Sequence, residues 1–161
     1  SPQLTAITRT SAAVLAAGSP VSFSFGITVG TGDTLTSTNI TFKDSFGNSQ
    51  QVVVSGAGLS GSLATATSWL NGNYTVEYVV VTTANTGRTD FKRDGTVVHF
   101  NAGVTTPVTH NINLSSADFM LTGGVSVLPT FATQPQSQGA NIGSSVTFSV
   151  CSNFNFYKWS I

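Results

Sequence analysis

Apolar and polar positions alternate along most of this chain, and the period is two. Val21, Phe23, Phe25, Ile27 and Val29 fall on one side, with Ser22, Ser24 and Thr28 on the other. Ile40 and Phe42 repeat the pattern between Asn39, Thr41 and Lys43. Tyr74, Val76, Tyr78 and Val80 alternate with Thr75, Glu77, Val79 and Val81, and Val108, His110, Ile112 and Leu114 with Thr109, Asn111 and Asn113. A strand turns successive side chains to opposite faces, so each run predicts a half-buried strand. By this pattern Phe23, Phe25, Tyr74 and Tyr78 are expected in the core. Helical periodicity is nearly absent: the short Ala-rich stretch Ser11–Ala17, ended by Gly18-Ser19-Pro20, reads as a helix or equally as a connecting turn.

Turn-forming residues separate the runs. They are Gly30-Thr31-Gly32-Asp33, Ser45-Phe46-Gly47-Asn48, Asn71-Gly72-Asn73, Asn85-Thr86-Gly87 and Asp94-Gly95. Asp94-Gly95, between Phe91-Lys92 and Val97-Val98, has the form of a two-residue hairpin. About eight strands at roughly 10- to 15-residue spacing before residue 120 predict an all-β, antiparallel sandwich over 1–121.

The pattern shifts after Leu121. Thr122-Gly123-Gly124 and Leu128-Pro129-Thr130 mark a linker over 122–130, and a second unit begins at 131. Phe131–Pro135 reads as an edge strand interrupted by Pro, Asn141-Ile142-Gly143-Ser144 as a turn, and Val146, Phe148 and Val150 as an inward face. Phe156–Ile161 is a third strand. Three strands over 131–161 cannot close a sandwich. Either the natural chain is longer, or a partner supplies what is missing.

The residues of this second unit carry a resemblance. Gln134-Pro135, Gly143-Ser144-Ser145-Val146-Thr147-Phe148 and Tyr157-Lys158-Trp159 resemble the opening of the immunoglobulin-like domains repeated in bacterial secreted and surface proteins. The resemblance implies that Trp159 is a core tryptophan. It puts the family's cysteine position at Val150, so Cys151 points outward and no inter-sheet disulfide is expected. The segment from Ile40 to Gly95 is similar to another bacterial immunoglobulin-like type. Its marks are Thr41–Asn48, Ser68-Trp69-Leu70-Asn71-Gly72-Asn73-Tyr74-Thr75-Val76 and Phe91–Gly95. Such modules serve as stalks, adhesins, phage decorations and enzyme appendages, so the resemblance implies a fold more than a function.

Composition narrows the function. Charged residues are only 7% of the 161, against roughly 25% in ordinary soluble domains, and six basic side chains cancel six acidic ones. A surface this poor in charge is a poor partner for nucleic acid or for an anionic membrane, and no apolar run is long enough for a membrane span. The Thr-, Ser- and Asn-rich coat suits an extracellular protein packed against copies of itself. The opening Ser1-Pro2 reads as a mature or trimmed N-terminus. Cys151 is alone, so no disulfide forms within the chain. Asn39, Asn73 and Asn113 each begin an N-glycosylation pattern.

Chemistry is sparse. The acids Asp33, Asp44, Glu77, Asp90, Asp94 and Asp118 lack the Asp-x-Asp-x-Asp spacing of a calcium loop, and several sit in turns where Asp caps backbone amides. His110 falls on an apolar side and reads as a neutral core imidazole, while His99 faces outward without a metal-spaced partner. The expectation is no enzyme, no cofactor and no metal. Contacts with a partner or ligand would fall to Trp69, Asn71 and Asn73 around one turn, to Phe46 in another, and to Phe154, Phe156 and Tyr157 in the second unit. The leading expectation is a non-enzymatic structural or adhesive module of a surface appendage, filament or virion, associating with itself or neighbouring modules through sheet edges. The alternative is a carbohydrate-binding module of a secreted polysaccharide-active protein, with those aromatics stacking on sugar rings.

Overall fold

A computed structural model gives the structure and describes residues 1–56, 58–126, 131–133, 136–152 and 156–160; the side chains of Val53, Ser55, residues 131–133, 150–152 and 156–160 are outside that description. The chain divides into two units, Ser1–Val125 and Ser126–Ile161. The first is an all-β sandwich, and most of the strands anticipated from period-two alternation form.

Its strands are β1 (Gln3–Arg9), β2 (Val14–Ala16), β3 (Pro20–Thr28), β4 (Leu35–Lys43), β5 (Ser49–Ser55), β6 (Ser60–Ala64), β7 (Gly72–Thr83), β8 (Gly87–Lys92), β9 (Val97–His99) and β10 (Phe119–Thr122). One sheet has the order β1-β3-β6. The other runs β2-β10-β7-β4-β5, with β8 beside the later half of β7 and β9 beyond β8. All pairs are antiparallel except β2 with β10. The facing sides fill one core that includes Val21, Phe23 and Phe25 of β3, Ile40 and Phe42 of β4, and Val76, Val79 and Val81 of β7. Five aromatic rings run through it in contact. Phe23 meets Phe42 at 5.0 Å, Phe42 meets Phe119 at 5.4 Å, Phe119 stacks on Tyr74 at 4.9 Å, and Tyr74 stacks on Trp69 at 5.7 Å. The Tyr74 hydroxyl donates to the Leu70 carbonyl at 2.7 Å, the form of the tyrosine corner at the start of a late strand in immunoglobulin-type sandwiches. Burial, then the charge of Asp44, raises the pKa of that hydroxyl.

Several sequence expectations meet tertiary context and change. Ser11–Ala17 is neither helix nor simple turn, because Val14–Ala16 finds β10 as a parallel neighbour. Val29 lies past the end of β3 and is exposed. Val108–Leu114 forms no strand: Asn113 turns its side chain to the Ser115 amide and caps a short 3-10 helix, Leu114–Ala117. Local side-chain bonds compete there with a sheet ladder. The Asp94-Gly95 hairpin has three loop residues, closed by Lys92 N–H to the Thr96 carbonyl at 2.9 Å, with Gly95 at φ +90°. That is a type I turn followed by a left-handed residue, which glycine takes without strain. Residues 123–125, anticipated as linker, belong to the first unit: Gly124 donates to Asn71 Oδ1 at 2.7 Å, and Val125 bridges Leu70.

Tyr78 requires a correction, since alternation placed it in the core. Along β4 and β7, Thr41 pairs with Tyr78 but Phe42 pairs with Val76, so Glu77 is an extra residue. Such a bulge reverses the inside-outside parity of everything after it. The core therefore takes Tyr74 and Val76 before the bulge and Val79 and Val81 after it, and half-buried Tyr78 turns to the outer face.

The second unit is a three-stranded antiparallel sheet of β11 (Phe131–Thr133), β12 (Thr147–Ser152) and β13 (Phe156–Ser160), with β12 central. Phe148 pairs with Trp159 and Cys151 with Phe156 along the backbone. Strand β12 starts at Thr147, one residue later than the expected face. Among the described residues no helix is long and apolar enough to cross a membrane.

Candidate functional site

The bulge at Glu77 exposes more than one tyrosine. On the outer face of the larger sheet, Tyr78 pairs with Lys92, Val80 with Asp90 and Thr82 with Arg88. An open hollow of about 600 Å³ there is lined by Lys43, Glu77, Tyr78, Arg88, Asp90, Lys92, Arg93 and Asp94. Seven of those eight are charged, out of twelve charged residues in the whole sequence. A chain poor in charge has gathered most of it on one surface.

Two arginines in the hollow are already committed. Arg88 grips Asp90 with two parallel bonds, Nε to Oδ1 at 2.7 Å and Nη2 to Oδ2 at 2.8 Å. The carboxylate is nearly buried, and this fork satisfies both its oxygens. The same guanidinium lies 4.5 Å from the centroid of the exposed Phe100 ring, within cation–π range. Arg93 makes a second fork on Asp118, at 2.9 and 2.8 Å. Both pairings raise the arginines' pKa, hydrogen bonding to the carboxylate being the leading cause.

The Arg93–Asp118 pair has a structural task. Strand β10 borders β7 only over Gly72–Tyr74, and β8 only from Tyr78 onward. In the gap, Asp118 Oδ1 accepts the Val76 N–H at 2.8 Å and Arg93 Nη1 donates to the Val76 carbonyl at 3.0 Å. An ion pair thus stands in for the missing backbone rung, joining β8 to β10 across the bulge.

The remaining charges are Lys43, Lys92, Glu77 and Asp94. Asp94 caps its own turn, Oδ1 accepting from Thr96 N at 2.9 Å and from Thr96 Oγ1 at 2.6 Å; these bonds, the side-chain one first, lower its pKa. Among the described residues neither lysine makes an ion pair. The hollow therefore offers two ammonium groups outside any ion pair, that of Lys92 near enough to Asp94 to help lower its pKa, with the carboxylate of Glu77 and the aromatic Tyr78. That set suits ionic and hydrogen-bond recognition. No serine, cysteine or histidine is among the residues that line it.

Both histidines are bound into the fold. His99 Nε2–H donates to the Pro107 carbonyl at 2.6 Å, with Nδ1 3.2 Å from Thr89 Oγ1. His110 Nδ1 accepts from Ile112 N–H at 3.1 Å and Nε2–H donates to the Lys92 carbonyl at 2.6 Å, which specifies a neutral tautomer. Its ring meets Phe91 edge-on at 5.8 Å. No group of three or more His, Cys, Asp or Glu gathers at metal distance among the described residues.

The residues named from sequence as partner or ligand contacts divide. Trp69 is half-buried against the core and stacked on Tyr74. Asn71 spends its amide on Gly124, accepting from N and donating to O. Asn73 and Phe46 are exposed, Phe46 at 48% in a turn that Asp44 caps through the Phe46 and Asn48 amides. Phe154 lies outside the described residues, as do the side chains of Phe156, Tyr157, Trp159 and Cys151. Phe23, Phe25 and Tyr74 are buried in the core. Of the glycosylation patterns, Asn39 is mid-strand in β4 with its Oδ1 buried, while Asn73 and Asn113 are exposed. Neither alternation nor turn chemistry announces the charged hollow. The only available signal was the run Arg88–Asp94, with five charges in seven residues.

No family model, curated protein or solved structure matches the chain.

Proposed function

We propose that this chain is a non-enzymatic structural or adhesive module of immunoglobulin-like type. It works at an extracellular surface, as part of an appendage, filament or virion coat, and associates with copies of itself or neighbouring modules. One observation carries the reading: seven of the chain's twelve charged residues line one outer sheet face, where two arginines fork onto carboxylates and two lysines make no ion pair among the described residues, an open face suited to contact with another surface. A catalytic site would instead converge a nucleophile, a base and an oxyanion donor in one pocket. The tyrosine corner and the parallel β2–β10 pair support the immunoglobulin-like assignment. The low-charge, hydroxyl-rich coat supports an extracellular setting.

A sugar platform around Trp69 ranks second, because that ring is stacked from within and the neighbouring Asn71 amide holds Gly124. Light scattering on the chain over a rising concentration series, beside a glycan array, separates the two. Concentration-dependent association without glycan binding supports the module reading. A strict monomer that binds sugars overturns it in favour of the alternative.

A further inference from the structure

Sheet edges invite a neighbouring strand, and proteins ordinarily blunt them with short strands, bulges, prolines or charge. Most edges of the first unit follow that rule. Strand β1 contains a register break between Leu4 and Ala6 and ends on Arg9. Strands β2 and β9 have three residues each, and β6 has five, including Gly61. Strand β5 is different. It reads Ser-Gln-Gln-Val-Val-Val-Ser and carries neither charge, proline nor glycine. It pairs with β4 over seven consecutive residues without a register shift.

The free side of β5 can be read from the ladder. Asp44 N–H donates to the Asn48 carbonyl and Gly56 N–H to the Thr36 carbonyl. With the register of Val52 on Ile40, those bonds fix the antiparallel alternation. Gln50, Val52 and Val54 exchange bonds with β4, whereas the N–H and C=O groups of Ser49, Gln51, Val53 and Ser55 point away from it. Among the described residues none of these four has another backbone partner.

We propose that β5 is the assembly edge and that its occupant is β5 of a second copy, docked antiparallel about a two-fold axis at Val52. This rests on the associating-module reading and says where the association occurs. The geometry closes on itself. Centred on Val52, Ser49 lies opposite Ser55 of the partner subunit, and Gln51 opposite Val53 of the partner subunit. All four outward-facing residues thereby fall at hydrogen-bonded positions. Four such pairs exchange about eight backbone hydrogen bonds. An isologous contact brings each side chain near copies of its own neighbours, so a charge in the strand would meet its like; β5 has none. The larger sheet becomes continuous through β4, β5 and their symmetry mates.

Gln51→Pro is the sharpest test. The Gln51 N–H faces away from β4, so proline removes one donor per copy from the new interface and spares the existing ladder. Gln51→Lys keeps the N–H and introduces like charges beside the axis. Val14→Lys, on exposed β2, is the control. Light scattering on the full 161-residue chain gives the dissociation constant, and circular dichroism checks folding. The proposal expects wild type and Val14→Lys to dimerise alike, with Gln51→Pro and Gln51→Lys each weakened by about tenfold or more. Wild-type association unchanged in the folded Gln51 variants would overturn the β5 assignment and leave the module reading standing. A wild type that stays monomeric throughout would overturn both. If Gln51→Pro fails to fold, Gln51→Lys decides by the same criteria.

Discussion

Replacing Asp118 with alanine removes the side chain that bridges the gap in the sheet beside Val76. Val76 is fully buried, and Asp118 is the acceptor that takes its N–H. Leaving a buried donor unsatisfied costs about 1–3 kcal/mol. The fork to Arg93 is partly solvated, with side-chain exposures of 35% and 26%. Screening limits it to about 0.5–1 kcal/mol. The sum predicts a loss of about 1.5–4 kcal/mol for Asp118→Ala. Asp118→Asn retains an acceptor for Val76 and gives up the charge, so about 1 kcal/mol is expected. Arg93→Ala loses the fork and the bond to the Val76 carbonyl, for about 1–2 kcal/mol. Because both residues serve the same rung, the double mutant should lose less than the sum of the two singles, by about 1 kcal/mol. Urea unfolding, followed by far-ultraviolet circular dichroism and tryptophan fluorescence, measures all four. An Asp118→Ala cost below about 0.5 kcal/mol, or strictly additive effects, would refute the idea that an ion pair replaces a strand here.

Other expectations come from single contacts. Tyr74→Phe removes the hydroxyl bonded to Leu70 and should cost about 0.5–1.5 kcal/mol in the same unfolding assay, with the core otherwise intact. Gly124→Ala should destabilise by about 1–3 kcal/mol, because its methyl would be driven into the Trp69 carbonyl oxygen; an unchanged melting temperature would contradict that packing. Asp33 joins two loops, accepting from Thr34 N and Asn85 N at 2.8 and 2.9 Å, and its pKa is lowered by hydrogen bonds led by that to Thr83. A carboxylate with a lowered folded-state pKa stabilises fully above its ordinary value of 3.8, and the benefit is lost as pH falls through the folded value. Thermal melts from pH 7 to pH 2 should therefore show a steeper acid limb for wild type than for Asp33→Asn, and identical limbs would count against the staple.

Alternation made most of the sandwich legible because one face of each strand is buried and the other is wet. Val21, Phe23 and Phe25 show it without interruption. Alternation misleads where one residue changes the parity. Nothing in Thr75-Val76-Glu77-Tyr78 announces that Glu77 is a bulge, so alternation alone puts Tyr78 on the wrong face. Val14–Ala16 takes its strand character from β10, a neighbour more than a hundred residues away, so its own sequence does not show it. Val108–Leu114 alternates convincingly, yet Asn113 and His110 spend their side chains on local backbone groups. The hollow was hidden for a related reason. Lys43, Glu77 and Arg88–Asp94 meet only through the registers of β4, β7 and β8, and Arg93 finds Asp118 only across the gap between β8 and β10.

The central claim, that this protein works by joining surfaces rather than by catalysis, is tested most directly by hydrogen–deuterium exchange at low and high protein concentration. The account predicts that amide protection at high concentration rises within Ser49–Ser55, at the outward-facing amides of Ser49, Gln51, Val53 and Ser55, while the core of the first unit is unchanged. Exchange independent of concentration at every amide would contradict it.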